Sequence, residues 1–110
     1  MQVNMKGTKL ALTPAIKAYI QMKMDMLDKF LGEIQVIGAN YEVEKTTRHH
    51  TKGEIYRAEA NLIVPHETLR VEKTEKDLYK AIDKVKDHLI RSIKRHKEKL
   101  IDKKRQGKPD

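Results

Sequence analysis

Glu75-Lys76-Asp77-Leu78-Tyr79-Lys80-Ala81-Ile82-Asp83 opens a run that continues without Gly or Pro to Lys103-Lys104-Arg105. Within it Leu78, Ile82, Val85, Leu89, Ile93, His96 and Leu100 recur at steps of four and three, so they fall on one helical face. Lys84, His88, Arg91 and Arg95 repeat the same spacing on another face. One long helix therefore carries an apolar stripe to bury and a cationic stripe to show. Glu75 and Asp77 sit in its first turns and cations in its last, an order that suits the helix dipole. Thr74 is placed to cap its N-terminus.

Working outward, residues 1–73 hold 11 Lys and Arg against 9 Asp and Glu, whereas residues 74–110 hold 13 against 7. Most of the formal charge of +8 thus rides on or just after this one helix. A solvated face accounts for scattered charge. An excess concentrated on one element favours a polyanionic partner, whether RNA, DNA or an anionic membrane.

The remaining segments supply a sheet and a second helix. Gln2 to Lys6 alternates and reads as a first strand, closed by Gly7. Thr13-Pro14 starts a helix, Thr as N-cap and Pro at the first helical position, which presents Ile16, Ile20, Met24, Leu27 and Leu31 and ends at Gly32. Tyr19, Lys23, Met26 and Phe30 form a shoulder beside that face, expected to pack on the neighbouring helix. From Val36 to Lys45 the period switches to two, with Ile37, Ala39, Tyr41 and Val43 on one side. A polar, basic loop from Thr46 to Gly53 follows. A third strand then turns Tyr56, Ala58, Ala60, Leu62 and Val64 inward, and beyond Pro65-His66-Glu67 the residues Leu69 and Val71 mark a short fourth strand. The order is βαβββα. An antiparallel-rich sheet with one polar face and two helices on the other makes a two-layer α/β (α+β) sandwich. Residues 1–101 form the single domain, and 102–110 are expected to be a short, basic, flexible tail.

Several function classes fall away. The chain has no Cys, which excludes disulfides, thiolate catalysis and Cys-based zinc sites. No segment approaches the roughly 18 apolar residues of a transmembrane helix, and the N-terminus lacks a signal-peptide core. A soluble, cytoplasmic protein with no membrane partner is expected. His49 and His50 are adjacent and His66 lies in another turn, so no metal set converges; no HExxH, P-loop, GxGxxG or GxSxG occurs. Asp83 and Asp87 are four apart, but Lys80, Lys84 and Lys86 surround them and an ion-pair face is the better account. No enzyme, cofactor or small-molecule substrate is expected.

Leu12-Thr13-Pro14-Ala15-Ile16-Lys17, Val43-Glu44-Lys45, Tyr56-Arg57-Ala58-Glu59-Ala60 and Asp77-Leu78-Tyr79-Lys80-Ala81-Ile82-Asp83, followed by Leu89-Ile90-Arg91-Ser92-Ile93-Lys94, stand in order over residues 1 to about 100. In these stretches the chain resembles the ribosome hibernation promoting factors, the family that includes ribosome-associated inhibitor A. The resemblance implies a fold similar to a double-stranded RNA-binding domain. It implies binding to 16S rRNA in the decoding channel of the small ribosomal (30S) subunit, over the tRNA and mRNA sites, which silences translation and protects idle ribosomes in stationary phase or stress. Its basic positions fall on Lys23 and Lys29 in the first helix and on Lys84, Lys86, Arg91, Lys94, Lys97 and Lys99 in the second. His88 and Arg95 join them from the cationic stripe. Met26 stands where many relatives carry a basic residue, and Leu78 replaces the commoner Met. The chain stops soon after Pro109, without the linker and second domain of long members. Single 70S ribosomes held idle and 100S dimers formed with a separate modulation factor both stay open. Two other readings remain: a protein-interaction module using the Tyr19/Met26/Phe30 shoulder, and a general binder of double-stranded RNA or DNA.

Overall fold

The computed structural model describes residues 1–46 and 53–106. In chain order the elements are β1 (Asn4–Thr8), α1 (Pro14–Asp25), α2 (Asp28–Leu31), β2 (Gly38–Thr46), β3 (Ile55–Val64), β4 (Glu67–Glu75) and α3 (Leu78–Gln106). The four strands form one sheet in the order β1-β2-β3-β4. β1 runs parallel to β2, Asn4 opposite Asn40, and the two following pairs are antiparallel. The expected βαβββα sandwich is the observed fold.

Period-two burial builds the sheet's inner face: Ala39, Tyr41 and Val43, then Ala58, Ala60, Leu62 and Val64, then Leu69 and Val71 are all buried. Onto it α1 and α2 lower Ile16, Ile20, Met24, Leu27 and Leu31, while α3 lowers Leu78, Ile82, Val85, Leu89 and Ile93. α3 lies across β3 and β4 and alongside α1. Both apolar stripes meet in a single core.

The ends of the first helix follow local chemistry. The Ile16 N–H donates to Thr13 Oγ1 at 3.2 Å, Pro14 begins the helix, and Gly32 ends it at φ +58°. The helix is not continuous, however. The Leu27 N–H bonds back three residues to the Met24 carbonyl at 3.0 Å, and this tighter turn separates α1 from the single turn of α2. Met24, Leu27 and Leu31 keep their spacing of three and four, so the buried face survives the break.

Four expected boundaries move. β1 begins at Asn4 and includes Gly7, because its partners on β2 run from Asn40 to Glu44. β4 is nine residues long, not short, since it pairs with β3 along its whole length. Thr74, expected as a helix cap, is therefore held in the sheet opposite Arg57. Ile37, expected inward, is 64% exposed, because it precedes the first paired residue of β2. Pro65 and His66 alone link Val64 to its partner Glu67, and His66 takes φ +72°, as the second central position of a type II turn requires. Helix α3 continues past residue 101 to Gln106. The basic loop residues 47–52, including His49 and His50, and tail residues 107–110 lie outside the described residues.

Candidate nucleic-acid interface

The cationic helix starts three residues later than its sequence signals place it. Asp77 is its cap: the carboxylate accepts from the Tyr79 N–H at 2.8 Å and the Lys80 N–H at 3.4 Å. With Leu78, Ile82, Val85, Leu89 and Ile93 turned to the core, helical geometry sends the cations to two flanks.

One flank faces β4, an edge strand. It carries Lys84, His88, Arg91, Arg95 and Lys99. Lys84 is ion-paired with Glu75 at the end of β4, and Lys99 with Glu67 at its start, 3.2 Å away. His96, buried at the end of the core stripe, places Nδ1 2.6 Å from the same Glu67 carboxylate. The contact with His96, helped by Lys99, holds the Glu67 carboxyl below its usual range. Arg91 and Arg95 are exposed and form no ion pair among the described residues. They are the charges this flank leaves available.

His88 lies half-buried between them and the strand. Burial pushes its pKa down, and Lys73 of β4, Arg91 and Arg95 add to that effect. These surroundings favour its uncharged form. Its Nδ1 is buried without a hydrogen-bond partner among the described residues.

The other flank faces α1 and is already engaged. Lys23, only 17% exposed, reaches Asp83 at 3.1 Å and lies over the Tyr19 ring at 5.1 Å. Tyr19 donates its hydroxyl to the same Asp83 at 2.6 Å. Lys86 is 18% exposed and lies 2.9 Å from Asp87. Lys29 and Lys94 sit over the Phe30 ring at 5.1 and 5.6 Å. Lys97 passes close to Gly32. The expected shoulder thus packs on α3 through Tyr19, Lys23 and Phe30, while Met26 stays exposed. The ten candidates, nine cations and His88, are not one cluster but two rows, divided by the ridge of α3.

The opposite face of the molecule has a different character. Arg57 on β3 reaches Glu42, and Glu44 at 2.8 Å, Glu59 at 3.1 Å and Glu72 at 3.8 Å. Burial alone would lower its guanidinium, but the Glu44 and Glu42 hydrogen bonds raise it, so it stays charged. Lys6 and Arg70 join Arg57 on this face, paired with Glu42 at 3.9 Å and Glu59 at 3.1 Å, so its cations are matched by carboxylates and a polyanion is directed to the helices. Among the described residues no group of three His, Asp or Glu could hold a metal ion. Tyr79 is a surface group that no local signal in the sequence marks: it follows the cap by two residues, yet it is 39% exposed, with its ring beside Tyr19.

Residues 3–101 match the family described as sigma 54 modulation protein / S30EA ribosomal protein. The chain is 32% identical over 100 residues to the ribosome hibernation promoting factor of Klebsiella oxytoca, covering 91% of this chain and 97% of that one. It is 30% identical over 109 residues to the ribosome hibernation promotion factor of Lactococcus lactis subsp. cremoris, covering 99% of this chain but only 56% of that protein. The chain therefore spans little more than half of the longer relatives it matches and nearly all of the shorter ones. Its fold is similar to the N-terminal domain of Protein Y from Thermus thermophilus, with TM-score 0.68, 28% identity, and coverage of 87% of this chain and 99% of that one.

Proposed function

The chain belongs to the sigma 54 modulation protein / S30EA ribosomal protein family, and from that premise we propose that it is a ribosome hibernation factor acting on the small subunit. In this reading the helical face lies against 16S rRNA in the decoding channel, blocks the tRNA and mRNA sites, and keeps idle ribosomes intact in stationary phase or stress. The protein acts by occupancy, one molecule per ribosome, and not by turnover. Its place of work is the cytoplasm, where ribosomes are; no described helix is long and apolar enough to cross a membrane.

The observation that carries this proposal is the polarity of the molecule. Arg91 and Arg95 on the helical layer have no carboxylate partner among the described residues, while Lys6, Arg57 and Arg70 on the far face of the sheet are paired with Glu42, Glu44, Glu59 and Glu72. Such a body offers phosphate its helical side first.

Sucrose-gradient profiles with purified ribosomes test it. The protein should co-migrate with 30S and 70S particles, compete with tRNA and mRNA, and inhibit cell-free translation in proportion to its ratio to ribosomes. If about 6–10 cations meet phosphates, affinity should drop about 10³–10⁵-fold between about 50 and 200 mM salt, on the scale of duplex DNA. Binding to any RNA duplex as tightly as to 30S subunits would replace this proposal with a general RNA-binding role. The same gradients read whether single 70S particles or, with a separate modulation factor added, 100S dimers accumulate.

A further inference from the structure

Five large apolar side chains are exposed among the described residues: Met22, Met26, Ile37, Tyr79 and Ile101. Tyr79 lies at the seam between α1 and α3, and Met22 of α1 and Met26 at its C-cap lie beside its neighbour Tyr19. Tyr19, Met22 and Met26 follow one another at steps of three and four, so they line the same side of the first helix. Tyr79 of α3 meets Tyr19 with ring centroids 4.8 Å apart at 88°. Met22 is 50% exposed, Met26 40% and Tyr79 39%. The patch is fixed from below, because Asp83 takes a hydrogen bond from Tyr19 and an ion pair from Lys23. Lys29 and Lys94 border its lower end at Phe30, and Lys76 and Lys80, both exposed, flank Tyr79 in sequence.

We infer that this seam is a stacking site for unpaired RNA bases, with Tyr79, Met22 and Met26 as the apolar surface and the bordering lysines as phosphate contacts. Charge complementarity selects the occupant. Asp77 and Asp83 also lie at this seam, but the first caps α3 and the second is held by Tyr19 and Lys23. A ligand that suits the bordering lysines and the apolar floor is therefore a polyanion that also carries flat apolar faces. Single-stranded RNA has both, whereas a duplex hides its base faces in its own stack. The cationic stripe of Arg91 and Arg95 would hold backbone of any sequence; the seam adds a preference for splayed nucleotides. The inference rests on RNA being the ligand of the helical layer.

The test compares three probes of about 12 nucleotides with the whole chain at one salt concentration: oligoadenylate, an abasic ribose-phosphate strand and an RNA duplex. Oligoadenylate should bind more tightly than the abasic strand, by about 5–150-fold for each stacked base. Met22→Gln with Met26→Gln, both on exposed positions, should shrink that ratio and leave affinity for the abasic strand unchanged. Tyr79→Ala should do the same; if loss of its Tyr19 contact lowers the melting temperature, the methionine pair decides. Arg91→Gln with Arg95→Gln should weaken both strands alike and keep the ratio.

Equal binding of the abasic and base-bearing strands overturns the inference. So does a tighter duplex, or a wild-type ratio in the methionine variant. An acidic peptide that fills the seam and leaves RNA binding untouched makes it a protein-docking surface instead. Co-migration with 30S subunits without any base preference removes this inference alone. Base preference without co-migration removes the ribosomal proposal and leaves the seam.

Discussion

Asp83 of α3 accepts the Tyr19 hydroxyl of α1 across the helix seam at 2.6 Å. The pair joins two elements 64 residues apart in sequence. Partial burial alone would raise the Asp83 carboxyl; the bonds from Tyr19 and Lys23 outweigh it and hold the group below its usual range. The same bond pushes the Tyr19 hydroxyl up to about 12.

Tyr19→Phe removes this bond and leaves the ring in place. The carboxylate is part-exposed and keeps Lys23, so the expected loss is about 1 kcal/mol. In a domain of this size that is a fall of about 4–8 °C in melting temperature. An unchanged melting curve would show the seam bond to be incidental.

Arg91 and Arg95 have no carboxylate partner among the described residues, while Lys84 and Lys99 already pair with Glu75 and Glu67. Two double variants of equal charge therefore separate placement from net charge. Arg91→Gln with Arg95→Gln should weaken binding to 30S subunits and flatten the salt slope by about 1.4–1.8 units. Lys84→Gln with Lys99→Gln should do so less, because their release from phosphate is partly offset by their own partners. Identical losses would mean that total charge alone governs binding. Neither pair touches the apolar stripe, so melting should move little.

Gly7 is fixed by a close approach. A Cβ there would lie 2.4 Å from the Leu10 carbonyl oxygen, where the chain turns back after β1. That oxygen belongs to the backbone and cannot swing aside. Gly7→Ala should cost about 1–3 kcal/mol, read as a lower denaturant midpoint. A wild-type midpoint would require the turn to open freely.

The Glu67 cluster gives a pH dependence of known sign. Its folded pKa lies below the unfolded value because His96, then Lys99, favours the carboxylate. The stability it adds is therefore present above the ordinary glutamate pKa of about 4.3 and is lost as pH falls through the lower folded value. Glu67→Gln should be less stable than wild type near neutral pH, with the gap closing on acidification in that window. A gap that widened toward acid would reverse the assignment.

Much of the candidate site is legible in the residues because its signals are local. Lys84, His88, Arg91 and Arg95 share a face whatever surrounds the helix, since 3.6 residues per turn is a property of the backbone. Thr13, Pro14 and Gly32 act on groups one turn away, and each ends its helix as its chemistry demands. The remaining signals depend on neighbours. Thr74 and Asp77 are both competent caps, and Asp77 serves because β3 pairs with β4 as far as Glu75.

The order of strands and main helices, the two apolar stripes and the concentration of charge on the last helix are already written in the residues. All three follow from periodicity and composition, which act within a few residues. Which charges remain usable is set by long-range packing. Lys23 is taken by Asp83, Lys84 by Glu75 and Lys99 by Glu67, partners 9 to 60 residues away that become neighbours only when α3 settles on the sheet. Arg91 and Arg95 point where that packing brings no carboxylate among the described residues. A charge is written in the chain; its availability depends on what folding places within 4 Å of it.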